Sequence, residues 1–494
     1  MICVSIGRGR HRHMIAEHRH LVEQGAELVE LRLDYLRGEV NLKRLLADRP
    51  CPVVVTCRRA VDGGKYEGDE EVRRLLLRSA IAEGADYVDL EDDVAESIPR
   101  FGETKRLVSM HDFRKTPKDL QRIHARLAAC DADIVKLATI ANHPHDNLRM
   151  LRLVRDAKVP TVGMCMGDIG TPSRILAAKF GAPFTYATFH HERTLAPGQL
   201  SFQQMTDVYH YHRINAETDV YGVIADPVGH SMSPQIHNAA FRELGINAVY
   251  VPFRVPREDL QQFMTDSHEL GVRGLSVTIP HKEAVLRCIS KVDGAVRGLA
   301  ATNTIVYQGD DLIGYNTDYR AAMACLENAM GPQGREALRN KKVLVLGAGG
   351  AAKAIVFGLS SRGARVIISG RTLKHAKETA AKLECDTIKW EARHTVSPDV
   401  LINCTPVGMH PNVDASPFDR LHLKPSMVVF DTVYNPENTL LIKDARSQSC
   451  RHVIPGIEMF IGQAARQFEL FTGQKVDSSL IHDVLRRAIG PAKY

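Results

Sequence analysis

The 494-residue sequence has no CxxC pair, no dense run of Lys and Arg, and no apolar stretch long and unbroken enough to cross a membrane. Each absence removes a class of protein. The ten cysteines stand singly (Cys3, Cys51, Cys57, Cys130, Cys165, Cys288, Cys325, Cys385, Cys404, Cys450), which argues against a disulfide framework and suits reduced thiols in the cytoplasm. The formal net charge is only +6, so nothing points to nucleic acid, while a mildly basic chain suits small anionic substrates. The opening residues, "MICVSIGRGRH", hold an apolar run too short for a signal peptide, with the charges on the wrong side of it. The most membrane-like stretch, Val343 to Ser361, contains "GAGGAAK", which breaks it into strand, turn and helix. His11, His13, His18 and His20 have no Cys or carboxylate set at ligand spacing beside them, so a solvated basic loop and helix start is expected there, and no metal.

The length itself predicts roughly three domains, at about 150 residues each. In the first part, eight short apolar runs alternate with helical segments: "ICVSI", "LVELRL", "PVVVTC", "YVDLE", "RLVSMH", "DIVKLA", "PTVGMC" and "FTYAT". This alternation predicts an α/β chain that begins with a (β/α)8 TIM barrel, whose chemistry gathers at the carboxyl ends of the strands. Polar residues stand at those ends: Glu30, Arg32 and Asp34 in "ELRLD", then Arg58, His111, Lys136, Ser173 and Arg174, with Gln199 in a Pro-Gly loop further on. A charged Lys inside an apolar strand such as "DIVKLA" is costly to bury, which makes Lys136 a candidate Schiff-base amine. The plainer reading pairs it with Glu30 or Asp34 as a structural ion pair. An amine, an imidazole and two arginines converging on one mouth fit a ketone-bearing carboxylate.

The motifs "ELRLD", "TCR", "DGG", "SMHDF", "IVKLA", "MGDIGTPSR" and "APGQ", in this order over residues 1 to about 205, resemble the type I 3-dehydroquinate dehydratases. The resemblance implies that Lys136 forms an imine with 3-dehydroquinate and that His111 moves the proton. It implies that Asp62 orients His111, while Glu30, Arg32, Asp34, Arg58, Ser173, Arg174 and Gln199 hold the substrate. Two positions depart from the family pattern: Asp62 replaces the usual Glu and is one methylene shorter, and Leu195 replaces the usual Ser before "APGQ".

A helical-looking segment, "FQQMTDVYHYHRI", is expected to pack on the barrel, leaving Asn215 to Thr218 as the flexible joint. Beyond it, "VYGVIADPVGHSMSP" reads as a strand and a Ser-rich loop, with a helix from about Pro234. Ser231 and Ser233 at this helix entry suit either carboxylate binding or plain capping. "GLSVTIPHKEAV" places Thr278 and Lys282 between strand and helix, "AATNTIV" supplies Asn303 and "GYNTDY" supplies Asp318. Lys282 and Asp318 are either solvated charge or a proton-transfer pair. In "KKVLVLGAGGAAKAIVFGLSSRGARVIISGRT" a strand runs into Gly347, Gly349 and Ala352, fitting G-x-G-x-x-A with a helix and second strand behind it, the context of a Rossmann dinucleotide site. Arg371 and Lys374 stand where an NAD site offers an acid, which favours NADP.

Together "SMSP", "VTIPHKE", "TNT", "NTD", "GAGGAAKA", "NCTPVGM", "DTVYNP" and "GIEMFIGQAA" resemble the shikimate dehydrogenases from about residue 219 to 494. The resemblance implies that Ser231 and Ser233 bind carboxylate, and that Thr278, Asn303, Tyr434 and Gln463 contact or flank hydroxyls. Lys282 and Asp318 act at the carbonyl. Gly347, Ala348, Gly349, Gly350, Ala351, Arg371, Thr372, Lys374, Thr405, Met409, Gly456 and Met459 border NADP. Departures are Gly370 for Asn, Pro406 for Ser and Ser276 for Asn. The expected divisions are a barrel over 1–212, a substrate domain over 219–325 with helices 457–494 packing back on it, and a Rossmann domain over 326–456. The combined resemblance implies dehydration of 3-dehydroquinate followed by NADPH-dependent reduction of 3-dehydroshikimate to shikimate, with no nucleic-acid or membrane partner. Two rivals stay open: a catabolic quinate dehydrogenase in the second half, and a non-catalytic metabolite sensor.

Overall fold

In this computed structural model, residues 1–190, 195–229 and 231–489 are described. The contacts divide the chain into two compact units, 1–272 and 273–494.

The first unit opens with β1 (Ile2–Ile6), β2 (Leu28–Arg32), β3 (Val53–Thr56), β4 (Tyr87–Glu91), β5 (Lys105–Asp112), β6 (Ile134–Ile140), β7 (Thr161–Met166) and β8 (Thr185–Thr188). All eight pair in parallel, in the order β7-β6-β5-β4-β3-β2-β1-β8, as a (β/α)8 barrel sheet. Side chains alternate across a strand, so every second residue faces inward. The lowest inward positions are apolar and pack as one cluster that includes Cys3, Leu28, Val54, Leu107, Ile134, Val162 and Phe184. Two residues further along each strand stand Ser5, Glu30, Thr56, Asp89, Ser109, Lys136, Met164 and Tyr186. The same periodicity that plugs the floor thus delivers a polar layer above it, and the buried apolar layer leaves chemistry only one way to face.

The segment after β8 packs as expected, with Phe202, Met205, Tyr209 and Tyr211 buried. The expected flexible joint is not loose. The Thr218 hydroxyl donates to Asn247 Oδ1 (2.7 Å), Asn247 Nδ2 donates to Asn215 Oδ1 (3.1 Å), and Lys179 Nζ holds the carbonyls of Ala216 (2.9 Å) and Thr218 (2.8 Å). Asn and Thr look like linker residues in sequence, but their short polar side chains close hydrogen-bonded turns. Past the joint, β9 (Asp219–Ala225) and β10 (Ala248–Arg254) pair in parallel around the helix Ser233–Glu243. The helix Leu260–Glu269 is tied to the barrel helix His145–Asp156 by His145–Asp266 (2.8 Å) and by Arg152 and Arg155 on Glu269.

The second unit contains β11 (Val272–Val277), β12 (Lys291–Val292), β13 (Thr304–Gln308) and β14 (Asp311–Tyr315), with β13 antiparallel to both β11 and β14. A six-stranded parallel sheet follows: β15 (Lys342–Leu346), β16 (Arg365–Gly370), β17 (Asp386–Lys389), β18 (Val400–Asn403), β19 (Val428–Asp431) and β20 (His452–Ile454). Its order, β17-β16-β15-β18-β19-β20, is that of the Rossmann fold, with the topological switch at the end of β15. The late helix Gly456–Thr472 turns back to β11 and β13 through Gln467, which accepts from Ser276 Oγ (3.0 Å) and donates to Asn303 O (3.2 Å) and Thr304 Oγ1 (3.0 Å). No helix among the described residues is long and apolar enough to cross a membrane.

Candidate active sites

The barrel cavity brings together Glu30, Arg32, Arg58, Asp62, His111, Lys136, Arg174 and Gln199 on one wall-lining set. Lys136 Nζ lies 2.9 Å from Asp89 Oδ2 and 3.6 Å from Glu30 Oε1, and 4.2 Å above the Tyr186 ring. Both readings of this lysine therefore meet in one place: it is a buried ion-pair member, and it opens onto a cavity. Glu30 is fixed by the hydroxyls of Ser5 (2.6 Å) and Thr56 (2.8 Å). Burial works against its charge, yet Lys136 and Arg32 hold its carboxyl below the ordinary range.

Asp89 and Glu91, which the sequence reading missed, organise the rest. Arg58 meets Asp89 (2.7 Å) and Glu91 (2.6 Å), and Glu91 also meets the buried Arg73 (2.8 Å). Asp89 is held far below the usual carboxylate range; burial opposes this, and Arg58 and Lys136 overcome it. Their signal was present in "YVDLE", where two acids alternate in an apolar strand as Glu30 and Arg32 do in "ELRLD". His111 is stacked on Phe113 (6.2 Å between centroids), and its Nδ1 is buried without a hydrogen-bond partner among the described residues. Burial, with Arg58 and Lys136 adding to it, pushes its pKa well below the ordinary histidine value, so the ring stays neutral and able to accept a proton.

Three expected placements come out differently. Ser173 does not reach the cavity: its hydroxyl donates to Gly170 O (2.7 Å) and accepts from Cys165 N–H (2.8 Å), so both its roles are consumed by the backbone. Asp34 lies beyond the end of β2, where it grips Arg32 with both oxygens (2.9 and 2.7 Å) and accepts from Lys65 N–H (3.0 Å). The Asp62 carboxylate is bonded to Arg59 (2.6 Å) rather than to His111. Leu195 lines the cavity, and its N–H bonds Gln199 Oε1 (3.0 Å), fixing that side chain.

Of the three cavity arginines, Arg58 and Arg174 are not equivalent. Arg58 is satisfied by two carboxylates, whereas Arg174, 1 % exposed, has no carboxylate within ion-pair distance among the described residues, and its Nε is unpartnered. Burial pulls its pKa down to about 10. A buried, uncompensated guanidinium facing a cavity is a receptor for an anion. Arg174→Ala is expected to raise the KM for an anionic substrate of the barrel by about 10- to 100-fold through lost charge-assisted hydrogen bonds. Arg58→Ala is expected instead to lower barrel stability by up to about 3 kcal/mol, because Asp89 and Glu91 each lose one of two buried cationic partners and keep only Lys136 and Arg73. Paired kinetics and thermal unfolding of the two variants separate these outcomes.

In the second unit, Lys282 Nζ and Asp318 Oδ2 stand 2.6 Å apart, both partly exposed. Thr302 N–H donates to the Lys282 carbonyl (2.9 Å), and Asp318 lies in the first turn of the helix Thr317–Ala329, capped by Asn316. The dinucleotide motif is adjacent: a Cβ placed on Gly350 would be 3.9 Å from Lys282 Cδ. Gly347 has φ +113, and a Cβ there would meet Cys404 O at 2.8 Å, so a side chain is excluded twice over. Gly349 faces open space, leaving the first N–H groups of helix Gly350–Ser360 accessible, with Ala348 and Ala351 beside it partly buried. Arg371, Thr372 and Lys374 are exposed just past β16, with no acid at the strand end.

The other expected contacts divide. Thr278 lies just past β11, partly exposed. Asn303 spends its side chain on Thr317, donating to its Oγ1 (2.9 Å) and accepting from its N–H (2.8 Å). Thr405 bonds Asn403 Oδ1 (2.7 Å), Met409 is exposed, and Met459 is packed into the Rossmann core. Gly456 is required because a Cβ would lie 2.4 Å from Val433 O. Tyr434 stacks on Phe460 (4.3 Å), on the helix that also carries Gln463, which is almost fully buried. In the first unit, the Ser231 hydroxyl accepts from Ser233 N–H (3.3 Å) in a turn before the helix, whose N-cap position is Met232 with no side-chain cap, and both serines are partly exposed. Of the amino-terminal histidines, His18 contacts Cys51 Sγ (3.2 Å) and His11 accepts from Asn41 N–H (2.9 Å). Among the described residues no group of three or more His, Cys, Asp or Glu is placed to hold a metal ion.

A fused lyase and oxidoreductase is the class that this fold and these two sites define. Residues 2–216 match the type I 3-dehydroquinase family, 223–305 the shikimate dehydrogenase substrate-binding domain, 331–436 the shikimate/quinate 5-dehydrogenase family and 456–486 the shikimate 5'-dehydrogenase C-terminal domain. The chloroplastic bifunctional 3-dehydroquinate dehydratase/shikimate dehydrogenase of Arabidopsis thaliana is 38% identical over 99% of this chain and 84% of its own length. The chain belongs to the bifunctional 3-dehydroquinate dehydratase/shikimate dehydrogenase family of the shikimate pathway. Its second half is also similar to the NADP-type shikimate dehydrogenase of Caldanaerobacter subterraneus subsp. tengcongensis (38% identity, 56% of this chain, 99% of the relative). Among solved structures, a shikimate dehydrogenase in complex with NADP+ superposes with TM-score 0.52 at 35% identity, over 56% of this chain and 97% of that one. The shikimate 5-dehydrogenase of Listeria monocytogenes, solved with shikimate and NAD, gives 0.51 at 30% identity, over 55% and 98%.

Proposed function

We propose that the barrel dehydrates 3-dehydroquinate through an imine on Lys136, and that the second half reduces 3-dehydroshikimate to shikimate with NADPH. The observation that carries the first step is Lys136 among Asp89 and Glu30, with neutral His111 on the same cavity. Asp89 and Glu30 hold the amine in place; neutral His111 accepts the lysine proton and returns it to the departing oxygen as Nζ adds to the ketone carbon with loss of water. The imine withdraws electrons from the neighbouring C–H; His111 takes that proton, the electrons expel the hydroxyl, and His111 returns the proton to it, releasing water. Hydrolysis of the imine frees Lys136. Arg174 binds the substrate carboxylate, and Arg32, Glu30 and Gln199 orient the hydroxyls.

In the second half Lys282, paired with Asp318, delivers the proton to the carbonyl oxygen, and Ser231 and Ser233 grip the carboxylate. Thr278, Tyr434 and Gln463 flank the ring. NADPH, when bound, supplies the hydride. The glycine-lined helix start at Gly349 and Gly350 suits its pyrophosphate, and Arg371 and Lys374, with Thr372, suit its 2′-phosphate. Arg371→Ala is expected to raise the KM for NADPH by about 10-fold or more while changing that for NADH little, since only one cofactor presents the extra phosphate. Equal losses with both cofactors contradict the assignment. The ten cysteines are all free thiols, which supports a reducing compartment such as the cytoplasm.

A further inference from the structure

The short loop between β3 and the next helix forms one side of the barrel cavity, and it is latched in a way the reaction feels. The loop closes on itself through Ala60 N–H to Tyr66 O (3.0 Å) and Gly64 N–H to Arg59 O (2.8 Å). Gly63 has φ +78, and a Cβ there would fall 2.2 Å from the ring of Phe113, the ring stacked on His111. On one flank, Lys65 N–H bonds Asp34. On the other, the Arg59 guanidinium spans two carboxylates, with Nε on Asp62 Oδ2 (2.6 Å) and Nη1 and Nη2 on Asp93 (2.8 and 3.1 Å). Asp62 and His111 line the same cavity. The charges that act on His111 are Arg58, Lys136 and Arg32, with Asp89 opposing them. An added anion at Asp62 favours the imidazolium unless its charge is balanced, and Arg59 is the group that balances it.

We propose that Arg59 is a positioning residue for the dehydration: it holds the Asp62 carboxylate, balances its charge and keeps it off His111, so that His111 serves as the base without a carboxylate partner. This rests on the reading of His111 as the proton carrier. The shorter reach of Asp62 fits such an arrangement, because the carboxylate is already committed on the loop.

The test is the pH profile of kcat/KM for dehydration in the full chain. The acid limb reports the loss of the proton from the free base, so a lowered His111 pKa places it below about 6.5 in the wild type. Arg59→Gln leaves Asp62 unbalanced, and the limb is expected to move up by about one pH unit. Arg59→Met serves as a second neutral variant, and Arg59→Lys keeps the charge and the wild-type limb. In Arg59→Gln/Asp62→Asn the limb returns to its original position. A limb that stays put in both neutral variants, with rate or melting temperature alone changed, reduces Arg59 to a structural tie and overturns the proposal. A limb that moves equally with Asp62 neutralised also overturns it. A wild-type chain that performs no dehydration fails the barrel reading itself, an outcome distinct from an active enzyme with an unmoved limb.

Discussion

Lys136→Ala is expected to lower dehydration by roughly 10⁴- to 10⁶-fold, the scale on which loss of a covalent nucleophile acts. Borohydride added with 3-dehydroquinate is expected to trap a covalent adduct on Lys136 in the wild type and none in the variant, as read by mass spectrometry. The size of the effect follows from what the lysine alone supplies. His111 is a neutral ring that cannot remove a weakly acidic C–H proton unless the neighbouring carbonyl has become an imine. An adduct that survives Lys136→Ala removes the imine mechanism. The substitution also unpairs Asp89 and Glu30, but Asp89 keeps Arg58 and Ser109 (2.6 Å), so a melting measurement distinguishes lost chemistry from a collapsed barrel.

Lys282→Ala is expected to cut reduction of 3-dehydroshikimate by about 10²- to 10⁴-fold, the range of a removed general acid, while leaving dehydration unchanged. The Lys282–Asp318 pair lies partly exposed beside the start of the dinucleotide helix, and nothing in it contributes to the barrel cavity. Separate assays of the two reactions on the same preparation check this. Loss of both activities contradicts two independent sites.

Period-two patterning made the barrel legible. Along the barrel strands an apolar floor residue is followed two positions later by the residue of the next layer, so the strands and the facing of Glu30 and Arg32 followed from sequence. The Gly347-to-Ala352 motif was legible for a similar reason, since strand, turn and helix come as one contiguous unit. Partners distant in the chain were not legible. Lys136 and Asp89 are 47 residues apart, and which acid meets the lysine is decided by the β4-to-β6 arrangement rather than by any local pattern. Arg58 and Arg174 looked interchangeable, and they differ in that Arg58 meets two carboxylates while Arg174 meets none among the described residues, which is why Arg174 is proposed as the anion receptor. Ser173 was misread because a serine hydroxyl near a strand end serves backbone turns as readily as substrates. Asn215 to Thr218 misled in the opposite direction, as polar residues that read as slack are locked by their own side chains.

The most direct measurement is a coupled assay of the intact chain given 3-dehydroquinate and NADPH, with parallel runs on NADH and on quinate plus NAD. The account predicts one NADPH oxidised per shikimate formed, slower turnover with NADH, and little oxidation of quinate. Accumulation of 3-dehydroshikimate without NADPH oxidation, or faster turnover of quinate with NAD, would contradict it.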